Sequence, residues 1–129
     1  MDSRALLADY EQALRQLQSA LRVPAESDVV KAGCIQYFEF CFELAWKAAR
    51  TVAGEAGQLV NSPKAALKQA FANGWIGAEE LWLEMLEARN RMSHTYDAKE
   101  ALKVYGKLAD FAVALEALAA RLRIEVGLP

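Results

Sequence analysis

The sequence predicts an all-α protein, an antiparallel up-and-down four-helix bundle with one extra short helix. Three observations carry this. Ala, Leu, Glu, Lys and Arg are abundant among the 129 residues and β-branched runs are few, a composition that favours helix over strand. Apolar residues recur at three- and four-residue spacing through long stretches, the period of a helix with one buried face. Short segments holding the residues that start and stop helices separate those stretches.

The first helix is expected from residue 2 or 3 to residue 22, with Leu6, Tyr10, Ala13, Leu14, Leu17 and Leu21 on one face, ending before Pro24. The second starts near Ser27 or Asp28 and continues to Gly54 or Gly57. A third, shorter helix opens at Ser62-Pro63, an N-cap hydroxyl followed by proline at the first helical position, and stops at Asn73-Gly74. The fourth spans about 78–93. The fifth begins at Asp97, with Glu100 three residues later as in a capping box, and carries Leu102, Tyr105, Leu108, Ala109, Ala112, Leu115, Leu118 and Leu122. Brief loops make neighbours antiparallel, and the length suits one domain, residues 1–129.

The totals narrow the function. Hydrophobic residues are 54% of the chain, yet no stretch approaches the roughly 20 uninterrupted apolar residues of a membrane helix. The start, Met1-Asp2-Ser3-Arg4, lacks the pattern of a secretory signal. A soluble, cytoplasmic protein without a membrane partner is expected. Net charge is −2 and pI about 5.5, so no overall basic field recruits nucleic acid. DNA is not expected as a partner, and contact with RNA or a nucleotide must come from a local site. Cys34 and Cys41 are two helical turns apart, too far to pair with each other, and read as core thiols. One histidine, two buried thiols and no clustered aspartates make no metal site, and there is no glycine-rich phosphate loop. No metal or cofactor is expected.

On the second helix, Cys34, Ile35, Tyr37, Phe38, Phe40, Cys41, Phe42, Leu44, Ala45, Trp46, Ala48, Ala49 and Val52 cover an arc of roughly 240° on a helical wheel. One bundle contact buries nearer 100°, so either the other helices of the bundle or a second chain must cover the rest. A homodimer is expected. The remaining polar strip holds Gln36, Glu39, Glu43, Lys47 and Arg50. Glu43 and Lys47 have the spacing of a surface ion pair; alternatively, a carboxylate of this strip faces segment 89–96 and orients Arg89 or His94.

Segment 89–96 gathers Arg89, Asn90, Ser93, His94, the chain's only histidine, and Tyr96. The wheel sets Arg89 beside Trp82 and Met85, where a charge needs a carboxylate partner or a bound anion. Asn90 and His94, four apart, project from one face if the helix continues, so both can touch a common ligand. A lone histidine at a helix C-terminus also has an ordinary explanation in the helix dipole, and Tyr96 could simply close the core. Acting together, they supply metal-independent chemistry on a phosphodiester. His94 is the general base or acid, Arg89 stabilises charge on phosphate, and Asn90, Ser93, Tyr96 and Glu43 hold the substrate. One histidine does not easily serve both proton transfers, and a symmetric dimer would bring two copies of Arg89 and His94 into one cleft.

Arg, four residues, His, any residue, Tyr is the signature of the HEPN superfamily, and Arg89, His94 and Tyr96 match it. More closely, the chain resembles the nucleotidyltransferase substrate-binding protein-like family, through segments 35–47, 62–71 and 81–97 in order. The resemblance implies a dimeric helical bundle partnered with a minimal nucleotidyltransferase, which would carry the metal-dependent chemistry. It also implies a second possibility, an RNase toxin whose nucleotidyltransferase antitoxin modifies the motif tyrosine, here Tyr96.

Overall fold

The computed structural model describes residues 2–92 and 97–129. Helices α1 (Ser3–Leu21), α2 (Asp28–Glu55), α3 (Pro63–Ala72) and α4 (Glu79–Met92) are followed by α5 (Ala98–Ala101), a 3-10 stretch (Leu102–Lys107) and α6 (Leu108–Glu125), with no strand among the described residues. The caps are those the sequence marks. Asp2 and Ser62 accept from the backbone N–H groups of Ala5 and Ala65 at 2.8 and 3.1 Å, and Ser27 accepts from Val30, each satisfying a helix donor that has no partner of its own. At the end of α3, Gly74 has φ +75°. That left-handed turn lets the Trp75 N–H reach the Ala70 carbonyl at 2.9 Å and folds the Trp75 ring into the core. Gly74→Ala should therefore cost about 1 kcal/mol or more, measurable as a lower unfolding midpoint in urea with an unaltered slope.

Helix α2 is the centre of the bundle. It packs on α1, α3, the 3-10 stretch and α6, while α1 closes against α6, and α4 rests on α3 and α6. Cys34, Ile35, Phe38, Cys41, Phe42, Ala45, Trp46, Ala48, Ala49, Val52 and Ala53 are all buried within the one chain. The width of the arc is thus largely explained by a central position, and the large side chains of α2's aromatic run left exposed are Tyr37 and Phe40, in edge contact with each other at 6.5 Å between centroids. Both thiols are free and buried; burial pushes Cys34 up and Cys41 to about 12. Buried Tyr10 donates to the Leu115 carbonyl, joining α1 to α6.

Several side chains depart from the expected faces. On α1 the core residue is Leu7, with Leu6 at its margin. In the last helical span the core line is Val104, Leu108, Phe111, Leu115, Leu118 and Leu122, while Leu102 and Tyr105 are only partly buried and Ala109 is exposed. The 3-10 stretch is the reason: three residues per turn in place of 3.6 rotates the side chains before Leu108 relative to those after it. Asp97 caps α5 by accepting from Lys99 at 3.0 Å, and Glu100 pairs with Lys103 at 2.7 Å, an i,i+3 contact in place of the expected capping box.

Candidate functional site

The carboxylate that meets α4 is Glu43. Its Oε1 accepts from Arg89 Nε at 2.6 Å, and its Oε2 accepts from the indole of Trp46 at 3.1 Å. Arg89 also donates through Nη1 to Asn90 Oδ1 at 3.0 Å. The helical spacing of α2 points Glu43 and Trp46 to adjacent parts of one surface, and α4 meets that helix near its end through the Arg89–Glu43 pair and near its start where the Trp82 ring lies tilted against Phe42, with centroids 6.4 Å apart. Lys47, the alternative partner for Glu43, lies instead over the Trp46 ring, as does Arg50. The side chains of Arg89 and Glu43 are 32% and 31% exposed. The arginine is therefore held at the rim, not sunk beside Trp82 and Met85: its long side chain carries the charge outward while its stem covers apolar surface.

Glu39 stands one turn before Glu43. Burial first, and the neighbouring Glu43 carboxylate second, push its carboxyl above the usual glutamate range. Among the described residues Glu39 makes no hydrogen bond or ion pair that would offset this. A raised carboxylate value means that the folded state disfavours the charged form. Glu39's contribution is most favourable at acid pH, below its unfolded value, and is lost as pH rises through the folded value. Glu39→Gln should therefore melt at a higher temperature than the parent near neutral pH, and the difference should shrink on acidification. A gain independent of pH would mean that charge is not the cause.

Of the residues assigned to the site, the structure brings together Glu43, Arg89 and Asn90. Ser93, His94 and Tyr96 lie outside the described residues. Met92, the last described residue of α4, lines two surface grooves. One, about 200 Å³, runs between α4 and the 3-10 stretch past Glu84, Lys103 and Lys107, where Lys107 pairs with Glu84. The other, about 370 Å³, lies between the start of α2, the end of α4 and α5, and among its lining residues are Ala32, Ile35, Gln36, Glu39, Met92 and Leu102. Glu39 is one of the two strip carboxylates that could meet segment 89–96, a place Glu43 takes, and Gln36 has no site role in the sequence reading; what signals both is the groove, which only packing creates. Among the described residues no group of His, Cys, Asp and Glu could hold a metal ion, and no helix is long and apolar enough to cross a membrane.

Fold and site together define a small helical-bundle domain with an ion-paired polar cluster where the end of α4 meets the central helix. The chain matches the family described as nucleotidyltransferase substrate binding protein like over residues 5–124, and it belongs to that family. It is 33% identical over 103 residues to the probable ribonuclease HepT of Haemophilus influenzae, covering 74% of this chain and 69% of that protein. A crystal structure of a Thermus thermophilus protein superposes with a TM-score of 0.82 at 32% identity, over 88% of this chain and 98% of that one. A structure from H. influenzae, described as revealing the fold of a substrate binding domain of a nucleotidyltransferase, superposes with a TM-score of 0.66 at 30% identity, over 94% and 96%. The family resemblance carried by segments 35–47, 62–71 and 81–97 holds.

Proposed function

We propose that this protein is a helical partner subunit of a minimal nucleotidyltransferase, and that it binds a nucleotide or the transferase's substrate at the cluster of Glu43, Arg89 and Asn90. The observation that carries this is the way Arg89 is held. Glu43 on α2 accepts from its Nε–H and Asn90 on α4 accepts from its Nη1–H, so the plane of the guanidinium is set before any ligand arrives. A preoriented guanidinium at a partly exposed rim suits a phosphate oxygen, because little side-chain freedom is left to lose on binding. The family description and the similar substrate binding domain support a transferase as the partner. The test is co-purification: the chain expressed at native level in its own cells should bring down a nucleotidyltransferase, and recovery of the chain without one would count against the reading.

A second reading is a metal-independent endoribonuclease of a toxin-antitoxin pair, favoured by the similarity to a probable ribonuclease and by the spacing of Arg89, His94 and Tyr96. His94 acts there as general acid or base, Arg89 stabilises the developing phosphate charge, and Tyr96 is the residue a partner modifies. Purified protein in chelator would cleave single-stranded RNA under this reading alone, and His94→Ala would lower the rate about 100-fold or more. Both readings place the protein in the cytoplasm as a homodimer, with exposed Tyr37 and Phe40 as the part of α2 available to a second copy. Light scattering should report about twice 14.2 kDa. A monomer at micromolar concentration would remove the composite site with two histidines.

A further inference from the structure

The groove beside Met92 is built differently from the polar cluster it adjoins. Ala32, Ile35, Met92 and Leu102 give it apolar walls; the polar side chains along it are the exposed Gln36, the half-buried Glu39 and, at the start of α2, the exposed Asp28. Its volume, about 370 Å³, falls in the range of small-ligand pockets, which characteristically combine apolar walls with a few polar groups that set orientation. Glu39 is partly buried without a hydrogen bond or ion pair among the described residues. Left unpartnered, such a carboxylate costs stability, whereas a ligand with N–H groups would satisfy it. The groove also neighbours the candidate site along both helices, since Glu39 precedes Glu43, the holder of Arg89, by about one 5.4 Å helical turn, and Met92 follows Arg89 on α4.

Resting on the nucleotide-binding reading above, we infer that this groove receives the nucleobase, and that Gln36 and Glu39 select a base bearing an exocyclic amino group, adenine over uracil, while the phosphate lies on Arg89. The chemistry discriminates in one direction. A carboxylate only accepts, so it pairs with an exocyclic N–H₂, while a glutamine amide both donates and accepts and so matches adenine's amino group together with its adjacent ring nitrogen. Uracil offers a carbonyl oxygen at the position of that amino group, and against Glu39 this sets acceptor on acceptor. The flat faces of the base would lie against Ile35, Met92 and Leu102.

Equilibrium titration of the full chain with adenosine monophosphate, uridine monophosphate and base-free ribose 5-phosphate tests this. Adenosine monophosphate should bind about tenfold more tightly than uridine monophosphate, the scale of one well-made base contact. Glu39→Ala should abolish that preference and leave the affinity for ribose 5-phosphate unchanged. Ala32→Phe, a change at an exposed helical position that fills the groove without touching the core, should bring both nucleotides down to the affinity of ribose 5-phosphate. Arg89→Ala should weaken all three ligands by a similar factor. The same contrast between oligoadenylate and oligouridylate shows whether the base comes from a free nucleotide or from RNA: preference already present in the monophosphates identifies the former, and preference seen only in the oligomers identifies the latter. Binding indifferent to the base in both pairs, or a preference that survives both groove variants, overturns the base pocket and leaves the nucleotide reading standing. Absence of binding by every ligand overturns both.

Discussion

Phe111→Ala should destabilise the protein by about 3–5 kcal/mol, the range for removing a large aromatic side chain from a packed core. Phe111 is 0% exposed and lies against Phe38 with ring centroids 5.2 Å apart and planes inclined by 30°. That contact joins α6 to the central helix just where the 3-10 stretch has ended and the helix has resumed its ordinary pitch. Alanine would leave a cavity between two helices that the rest of the bundle holds apart, so the site cannot collapse to fill it. Against the roughly 5–15 kcal/mol available to a domain, this is a large fraction of the total stability. The control is Val113→Ala two residues away, 68% exposed, where a change within about 0.5 kcal/mol is expected. Urea unfolding of both variants decides the matter: a similar small loss in each would show that the junction of α6 with α2 repacks freely.

The second large effect is expected on binding, with little on stability. Arg89→Leu should reduce affinity for nucleotide or substrate at least tenfold and leave the melting temperature within a few degrees of the parent. A charge sunk beside Trp82 and Met85 with a fully buried partner would forecast the opposite, a loss of roughly 3 kcal/mol or more when that partner is stranded. Two features favour the first outcome. Both side chains of the pair are about one third exposed, and pairs with that access to water contribute on the order of 0–1 kcal/mol. Glu43 also keeps its hydrogen bond from the Trp46 indole, so it is not left without a partner when the guanidinium goes. Functional groups commonly persist at such positions for what they bind and not for what they stabilise. A large fall in melting temperature with unaltered binding would make Arg89 a structural arginine.

How far the sequence could be read varies with the physics of each feature. Helix starts at Asp2, Ser27 and Ser62 and the stop at Gly74 were legible because caps and left-handed turns depend on the chemistry of one or two residues. The faces of α1 and α6 were legible only in part. A regular wheel assigns Leu6, Leu102 and Ala109 to the core, and the packing chooses Leu7, Val104 and Phe111. In the last span a short 3-10 interval resets the phase in a way that no local signal marked. Within the site, Arg89 stood out as a charge among apolar neighbours, and a carboxylate from the α2 strip was an open possibility for its partner. That Glu43 fills this role, while Lys47 turns to the Trp46 ring, depended on how two helices far apart in sequence cross.

The amino-acid order by itself determined the helical class, the number and approximate limits of the long helices, the membership of the family through three ordered segments, and the residue types available for chemistry. These depend on short-range periodicity and on side chains that act within a turn or two of their own position. Tertiary structure decided which carboxylate orients Arg89, how much of the wide apolar arc of α2 is covered inside one chain, and that Gln36 and Glu39 open into an apolar groove beside the end of α4. Each of these is a relation between helices brought together by burial of Phe38, Phe42, Trp82 and Phe111, and burial is non-directional. It selects a packing through the shapes of all the helices at once, so no single segment of the chain carries that information.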